Sequence, residues 1–376
     1  MIRNFKRSAA IAGVAAIASV SLVACGDSND NAANGDNASS AKDATAIEGL
    51  SGQTGQLVAE GATSQANAMD YFGSRYAEAV SGANLAYNAT GSGSGIKNFI
   101  GNQAVFAGSD SPLKEDKGEV EQARERCGGN DAWHLPMVIG PVAVAFNLDG
   151  VADLNLTVDN IVEIFNGTIT KWNDPKIAEN NESAELPDQD ISVIYRSDES
   201  GTSDNFQKFL SAASDGKWEG EGKAFPQSVG AGANGSTAVA EQVKATSGAV
   251  TYVEAGYAHD LDLGVANIDF GSGAVELNNE SVNKALANVQ FKSEGHDLVV
   301  DSKSLFASNN EGAYPLVLTT YEIVCSKGYD ETTKNMVKDF LTIVLESQDE
   351  ELEDAGFIPV SGEFADKLKA SVDAIS

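Results

Sequence analysis

The chain has 376 residues, 42% of them hydrophobic and 21% charged, which is enough to bury the cores of two average domains and too apolar for a disordered chain. Its 25 Lys+Arg stand against 55 Asp+Glu, a formal net charge of −30. That balance excludes nucleic-acid backbones and anionic lipid surfaces as electrostatic partners, but a small anion stays open, because local donors in a cleft outweigh a distant screened field.

At the N-terminus, Arg3, Lys6 and Arg7 precede a run of small and apolar residues, 8–24, that ends in Leu22-Val23-Ala24-Cys25. A basic head and a short apolar stretch are the layout of an export signal. The Leu-x-Ala-Cys ending resembles the bacterial lipobox, in which the Cys is diacylated and becomes the mature N-terminus. A membrane-spanning helix is the alternative, but this stretch is short and rich in Ala and Ser, whereas a span takes about 20 apolar residues. Residues 1–24 are therefore expected to be a lipoprotein signal peptide and Cys25 its lipidation site. The polar, low-complexity residues 25–46 then form a flexible tether. No later segment is long and apolar enough to cross a bilayer. Cys127 and Cys325 form an even pair, which in an exported chain reads as a disulfide; two buried free thiols are the alternative.

From about residue 47, strand-like and helix-like runs alternate, the pattern of an α/β protein. Strands are predicted at 56–59, 84–87, 104–107, 142–146, 191–195, 249–253 and 321–324. Helices are predicted at 65–80, 95–101, 158–166, 203–213, 236–246 and 331–347. In the last of these, Met336, Phe340, Leu341, Val344 and Leu345 recur at helical spacing and predict a core-facing stripe. Pro141, followed by an apolar strand, marks a place where the chain leaves one lobe for another.

Three segments share one design: a strand, a short turn rich in Gly, Ser and Thr, then a helix. They are 58–64, 87–95 and 194–203, the last also supplying Arg196. Each places hydroxyls and free N–H groups at a helix N-terminus, which carries about half a positive charge and favours anions. One such turn is ordinarily plain N-capping by Ser or Thr; three in one chain point to an oxyanion site at the carboxyl ends of strands. Other chemistry is thin. His134, His259 and His296 have no metal-ligand spacing. Gly91-Ser92-Gly93-Ser94-Gly95-Ile96-Lys97 lacks the gap and ending of a nucleotide phosphate loop, and no nucleophile elbow or acid/base pair stands out. An enzyme is not expected, and no cofactor is implied.

At these turns the sequence resembles the phosphate-binding subunit of Pst-type ABC importers. The matching segments are Gly61-Ala62-Thr63; Gly91 to Lys97; Phe106-Ala107-Gly108-Ser109-Asp110 with Ser111-Pro112-Leu113; 164–169 with Trp172-Asn173-Asp174-Pro175; Arg196 to Ser203; and Gly248 to Glu254. Six segments in family order carry the resemblance. It implies a two-lobed, type II-like periplasmic-binding-protein fold with the ligand cleft between lobes: 47–141 with 310–376, and 142–309. It further implies phosphate as ligand, delivery to the permease and ATPase of an ABC importer, an extracytoplasmic location and a monomer. Carried over by position, the ligand contacts are Thr63, Ser64, Ser92, Asp110, Arg196, Ser200, Gly201 and Thr202. Thr63, Ser92, Ser200 and Thr202 would offer hydroxyls, Ser64 and Gly201 backbone N–H groups, and Arg196 a cation held from behind by Asp198. Ser64 departs from a frequent family Phe; a backbone contact survives that change, an apolar lid there does not. The stretch around Trp172 and Pro175 is expected to shape the fold rather than touch ligand.

Asp110 is the informative residue in this set. A carboxylate facing a bound anion makes sense only if the anion brings its own O–H, as protonated phosphate does and sulfate does not. The alternative is that Asp110 merely caps the turn before Ser111-Pro112. Competing functions are a binding protein for another oxyanion (sulfate, molybdate or phosphonate), an exported phosphatase-like enzyme, and a purely structural surface lipoprotein.

Overall fold

The structure, a computed structural model, describes residues 47–376 apart from 288, 293, 308 and 309; the expected signal peptide, Cys25 and the expected tether lie outside the described residues. Strands β1 (Gly55–Gly61), β2 (Ala83–Ala89), β3 (Phe106–Ser109), β4 (Ala132–Phe146), β5 (Asn155–Thr157) and β6 (Ser192–Arg196) alternate with helices α1 (Ala66–Ala79), α2 (Ser92–Ile100), α3 (Glu119–Arg126), α4 (Val158–Phe165) and α5 (Pro175–Ala178). After them come α6 (Gly201–Ala213), β7 (Ala231–Ala233), α7 (Gly235–Ala245), β8 (Ala249–Glu254), α8 (Ala255–Asp260), β9 (Gly264–Val265), β10 (Asn267–Asp269) and β11 (Ala274–Val275). The chain closes with α9 (Asn279–Leu286), α10 (Ser302–Phe306), β12 (Val317–Cys325), α11 (Glu331–Glu346), α12 (Glu350–Asp354) and α13 (Gly362–Ala374).

One sheet runs through both lobes in the order β2-β1-β3-β12-β4-β8-β6-β7, with β9 also on β4; a small second sheet has the order β11-β10-β5. β1 is parallel to β2 and β3, as the strand–helix–strand units predict, while β12 returns antiparallel between β3 and β4. β4 changes partner in mid-strand: its residues 132–141 pair with β12, and 142–146 with β8. The sequence predicts a strand only at 142–146; the observed strand extends back through Pro141 and Pro136, residues that ordinarily interrupt a central strand. The chain tolerates both. Pro141 sits where the partner changes, and beside Pro136, which has no N–H for the ladder, the register against β12 shifts between Thr320 and Tyr321.

Each lobe has an apolar reason to fold. In the first, Ala68, Met69, Phe72 and Tyr76 form the buried stripe of α1. They pack towards α11, whose wholly buried Phe340 meets Tyr76 at 5.6 Å and Phe106 at 5.5 Å. Burying a Phe stabilises by roughly 1.5–3 kcal/mol. The predicted stripe of α11 is the face that is buried, apart from the half-buried Leu345. In the second lobe an aromatic cluster joins Phe165, Phe206, Phe225 and Tyr252, the closest pair being Phe206 and Tyr252 at 4.4 Å. Trp172 is fully buried, its ring 6.1 Å from that of Phe146, and it donates to Gly248 O at 3.0 Å, so this segment packs into the core. Cys127, just after α3, is bonded to Cys325 at the end of β12. α3 itself escaped the sequence reading: in Glu119–Arg126 only Ala123 is buried, which leaves no apolar stripe to detect. Among the described residues no helix is long and apolar enough to cross a membrane.

Candidate ligand-binding site

The chain turns sharply from β1 at Ala62 into a short 3₁₀ turn, Thr63–Gln65, which leads into α1. β2 leads through Gly91 into α2, and β6 through Arg196–Ser200 into α6; Ser200 caps α6 by accepting from Ser203 N at 3.2 Å. These are the three turns singled out in the sequence, and they converge. Glu199 O accepts from Gly93 N at 3.0 Å, and Lys97 on α2 is paired with the Glu199 carboxylate. Gly201, the first residue of α6, comes so close that a Cβ there would sit 2.4 Å from Ser92 Oγ and 2.5 Å from Asp110 Cβ and Oδ2. Thr63, Ser64, Ser92, Asp110, Arg196, Ser200 and Thr202 are all buried. All eight candidate residues thus belong to one buried cluster where the lobes meet.

Asp110 is its centre. Its Oδ1 accepts from Ser64 Oγ at 2.6 Å and Thr320 Oγ1 at 2.7 Å, and its Oδ2 from Ser92 Oγ at 3.1 Å. It does not cap its own turn: Pro112 has no N–H, Ser111 N donates to Ser109 Oγ, and Leu113 N donates to His134 Nε2. A carboxylate accepts about four hydrogen bonds; three are occupied, and the remaining capacity lies on Oδ2, the oxygen nearest the start of α6. Burial pushes the Asp110 carboxyl up from 3.8 to about 6, with the charge of Glu254 adding to the rise; the Ser64 and Thr320 hydroxyls and the Arg196 charge oppose it.

Arg196 supplies the cation. Its Nε and Nη2 donate to Asp198 Oδ1 and Oδ2 at 2.8 and 2.6 Å, a bidentate pair that fixes the guanidinium plane. Nη1 faces the cluster and donates to Ser236 Oγ at 3.1 Å and Thr202 Oγ1 at 3.4 Å. Burial alone would lower the Arg196 pKa, but the Asp198 carboxylate outweighs it and holds the group charged. Burial likewise works against the Asp198 anion, and Arg196 together with the Gly235 N–H bring its pKa below the usual range. Asp198 therefore fixes the two guanidinium nitrogens of Arg196 that Thr202 and Ser236 do not engage.

Three hydroxyls are used otherwise than expected. The Thr202 hydroxyl donates to Glu254 Oε1 at 2.6 Å, the Ser92 hydroxyl donates to Asp110 Oδ2 at 3.1 Å, and Ser64, expected to offer only its N–H, gives its hydroxyl proton to Asp110 Oδ1. Three further residues belong to the cluster and were not among the candidates. Ser236 at the start of α7 meets Thr63 Oγ1 at 3.0 Å across the lobes; Gly235 before it has φ +81°, a left-handed turn that glycine permits. The signal was there, since Gly-Ala-Asn-Gly-Ser before a helix repeats the design of the other turns. Thr320 could not be found that way, because 210 residues separate it from Asp110. Glu254 closes β8 as a buried carboxylate. Among the described residues no cluster of His, Cys, Asp and Glu could hold a metal ion.

A family model of the PBP superfamily domain matches residues 46–348. The chain is 44% identical over 324 residues to the phosphate-binding protein PstS2 of Mycobacterium bovis, covering 85% of this chain and 87% of that one. It is 41% identical to the phosphate-binding protein PstS 3 of Mycobacterium leprae, covering 85% and 87%. Among solved structures, a phosphate-binding protein from Stenotrophomonas maltophilia superposes with a TM-score of 0.62 at 23% identity, covering 84% of this chain and 94% of that one. A human phosphate-binding apolipoprotein gives a TM-score of 0.66 at 22% identity, with the same coverage. Both likenesses are of fold. With its α/β lobes joined through a shared sheet, the chain belongs to the Pst-type phosphate-binding proteins of the PBP superfamily.

Proposed function

We propose that this protein is an extracytoplasmic, lipid-anchored binding protein that captures inorganic phosphate between its lobes and delivers it to the permease and ATPase of an ABC importer. The lobes in this reading are 47–141 with 310–376, and 142–309, hinged where β4 changes partner. In the bound state Arg196, oriented by Asp198, and the N–H groups opening α2 and α6 hold the phosphate oxygens; helix termini offer such N–H groups free of intrahelical partners. Thr63, Ser64, Ser92, Ser200, Gly201 and Thr202 complete the ring. Thr202, Ser92 and Ser64 serve through their N–H groups, because their hydroxyl protons are given to Glu254 and Asp110.

The observation that carries the reading is the Asp110 carboxylate, buried, held by three hydroxyl donors and still able to accept on Oδ2. An anion bearing an O–H satisfies that acceptor; a fully ionised one places an acceptor against it. An unpaired buried acceptor costs about 1–3 kcal/mol, or roughly 5- to 150-fold in affinity. The test is calorimetry of the wild type and Asp110→Asn against phosphate and sulfate at one pH and salt. The amide can donate as well as accept, so sulfate gains more than phosphate, and the affinity ratio falls at least about tenfold. An unchanged ratio would make Asp110 a structural residue and return sulfate or another oxyanion to consideration.

A further inference from the structure

Glu254 presents a carboxylate that the phosphate reading has not used. It ends β8, is 2% exposed, and its Oε1 accepts from Thr202 Oγ1 at 2.6 Å. Its Oε2 is buried and has no hydrogen-bond partner in the protein. The charged and titratable groups around it are Arg196 on β6, Asp110 after β3 and Tyr257 on α8; α6 contributes Thr202, and β4 pairs with it through the apolar Val142. None of these supplies a donor to Oε2. Arg196 is bound to Asp198, Ser236 and Thr202, and the Tyr257 hydroxyl donates to Thr63 O at 2.8 Å. A buried, unpaired carboxylate oxygen is costly, and native proteins rarely keep one without a use.

Resting on the reading of the cleft as a phosphate site, we infer that Glu254 is a second acceptor for the ligand, taking a second phosphate O–H on Oε2. The two carboxylates then count protons. Asp110 alone is satisfied by the single proton that the phosphate dianion keeps, so it does not separate dianion from monoanion. Glu254 requires a second proton, which only dihydrogen phosphate carries. Charge favours the same choice. The Arg196 cation is matched by Asp198, so Asp110 and Glu254 leave the cluster formally negative, and a monoanion adds less repulsion than a dianion at these short distances. When the dianion is captured from solution, one proton is taken up and shared between a phosphate oxygen and Oε2; no other bond changes.

Calorimetric titration with inorganic phosphate at pH 6.5 and 8.5, in two buffers of different ionisation enthalpy, tests this on the intact protein. The wild type should bind about tenfold or more weakly at pH 8.5, and should there take up close to one proton per phosphate, since the unmatched acceptor pair returns when the ligand loses its second proton. Glu254→Gln keeps an acceptor for Thr202 and turns the other atom into a donor. It should bind with little dependence on pH over that range and take up no proton. A wild type that binds phosphate equally at both pH values without proton uptake overturns the role of Glu254 and leaves the phosphate site standing. So does a folded Glu254→Gln protein whose pH profile parallels the wild type. A wild type that binds no phosphate at either pH overturns the phosphate reading and this inference with it. Wild-type proton uptake needs no variant, so a misfolded Glu254→Gln chain does not protect the idea.

Discussion

Asp110 shows how much a single buried side chain can carry. Its carboxyl is pushed up from 3.8 to about 6, first by burial, so the folded state favours the protonated form more than the unfolded chain does. The stability this contributes is fully present below about pH 4 and is lost as pH rises through about 6. Asp110→Asn removes that loss. The ligand-free variant should therefore be more stable than the wild type at pH 8, by up to about 3 kcal/mol, and the gap should close as pH falls towards 4. Urea denaturation at pH 4.5, 6 and 8 measures it; a variant less stable at pH 8 would mean that the hydroxyls of Ser64, Ser92 and Thr320 stabilise the anion more than burial destabilises it. At this scale the sequence was partly legible. Asp110, Arg196 and Asp198 could be placed in one site by resemblance, whereas Thr320 and Glu254 could not, because neither lies in a turn of recognisable design.

At the scale of elements, the site is a meeting of helix N-termini, and the meeting is tight. α6 reaches the first lobe through Gly201, where an added Cβ would stand 2.4 Å from Ser92 Oγ and 2.5 Å from Asp110. Gly201→Ala should hold the lobes apart and cut phosphate affinity at least about tenfold. Wild-type affinity in this variant would show that α6 does not close onto Ser92 and Asp110. The elements were read from periodicity: α6 was read as 203–213 against the observed Gly201–Ala213, and the stripe of α11 was visible in the sequence. The full length of β4 was not, because Pro136 and Pro141 look like breakers until the register shift and the change of partner accommodate them.

At the scale of the whole molecule, the C-terminal return is stitched to the first lobe. The Cys127–Cys325 bond spans 198 residues of sequence and joins the end of α3 to the end of β12, the strand that also carries Thr320. Replacing both cysteines by Ser should lower stability by about 2–5 kcal/mol, since the unfolded chain regains a long loop's freedom. Denaturant titration reads the change; equal stability of the two proteins would show that the bond constrains neither state. The proposed lipid anchor belongs to this scale too. Cys25→Ala should release the protein or leave an unprocessed precursor, and unchanged lipid labelling of that variant would refute the anchor.

The sequence by itself determined the α/β alternation, the class of site and the family. These follow from local signals: apolar periods, Gly- and hydroxyl-rich turns before helices, and motifs only a few residues long. Tertiary structure alone decided what each group does with its protons. Thr202 gives its hydroxyl to Glu254, Ser64 gives its hydroxyl to Asp110, and Thr320 arrives from 210 residues away to complete the same carboxylate. Hydrogen-bond direction depends on which groups lie within about 3 Å of one another. That proximity is set by how β12 returns between β3 and β4 and how α6 meets α2, relations between distant segments that no local pattern encodes.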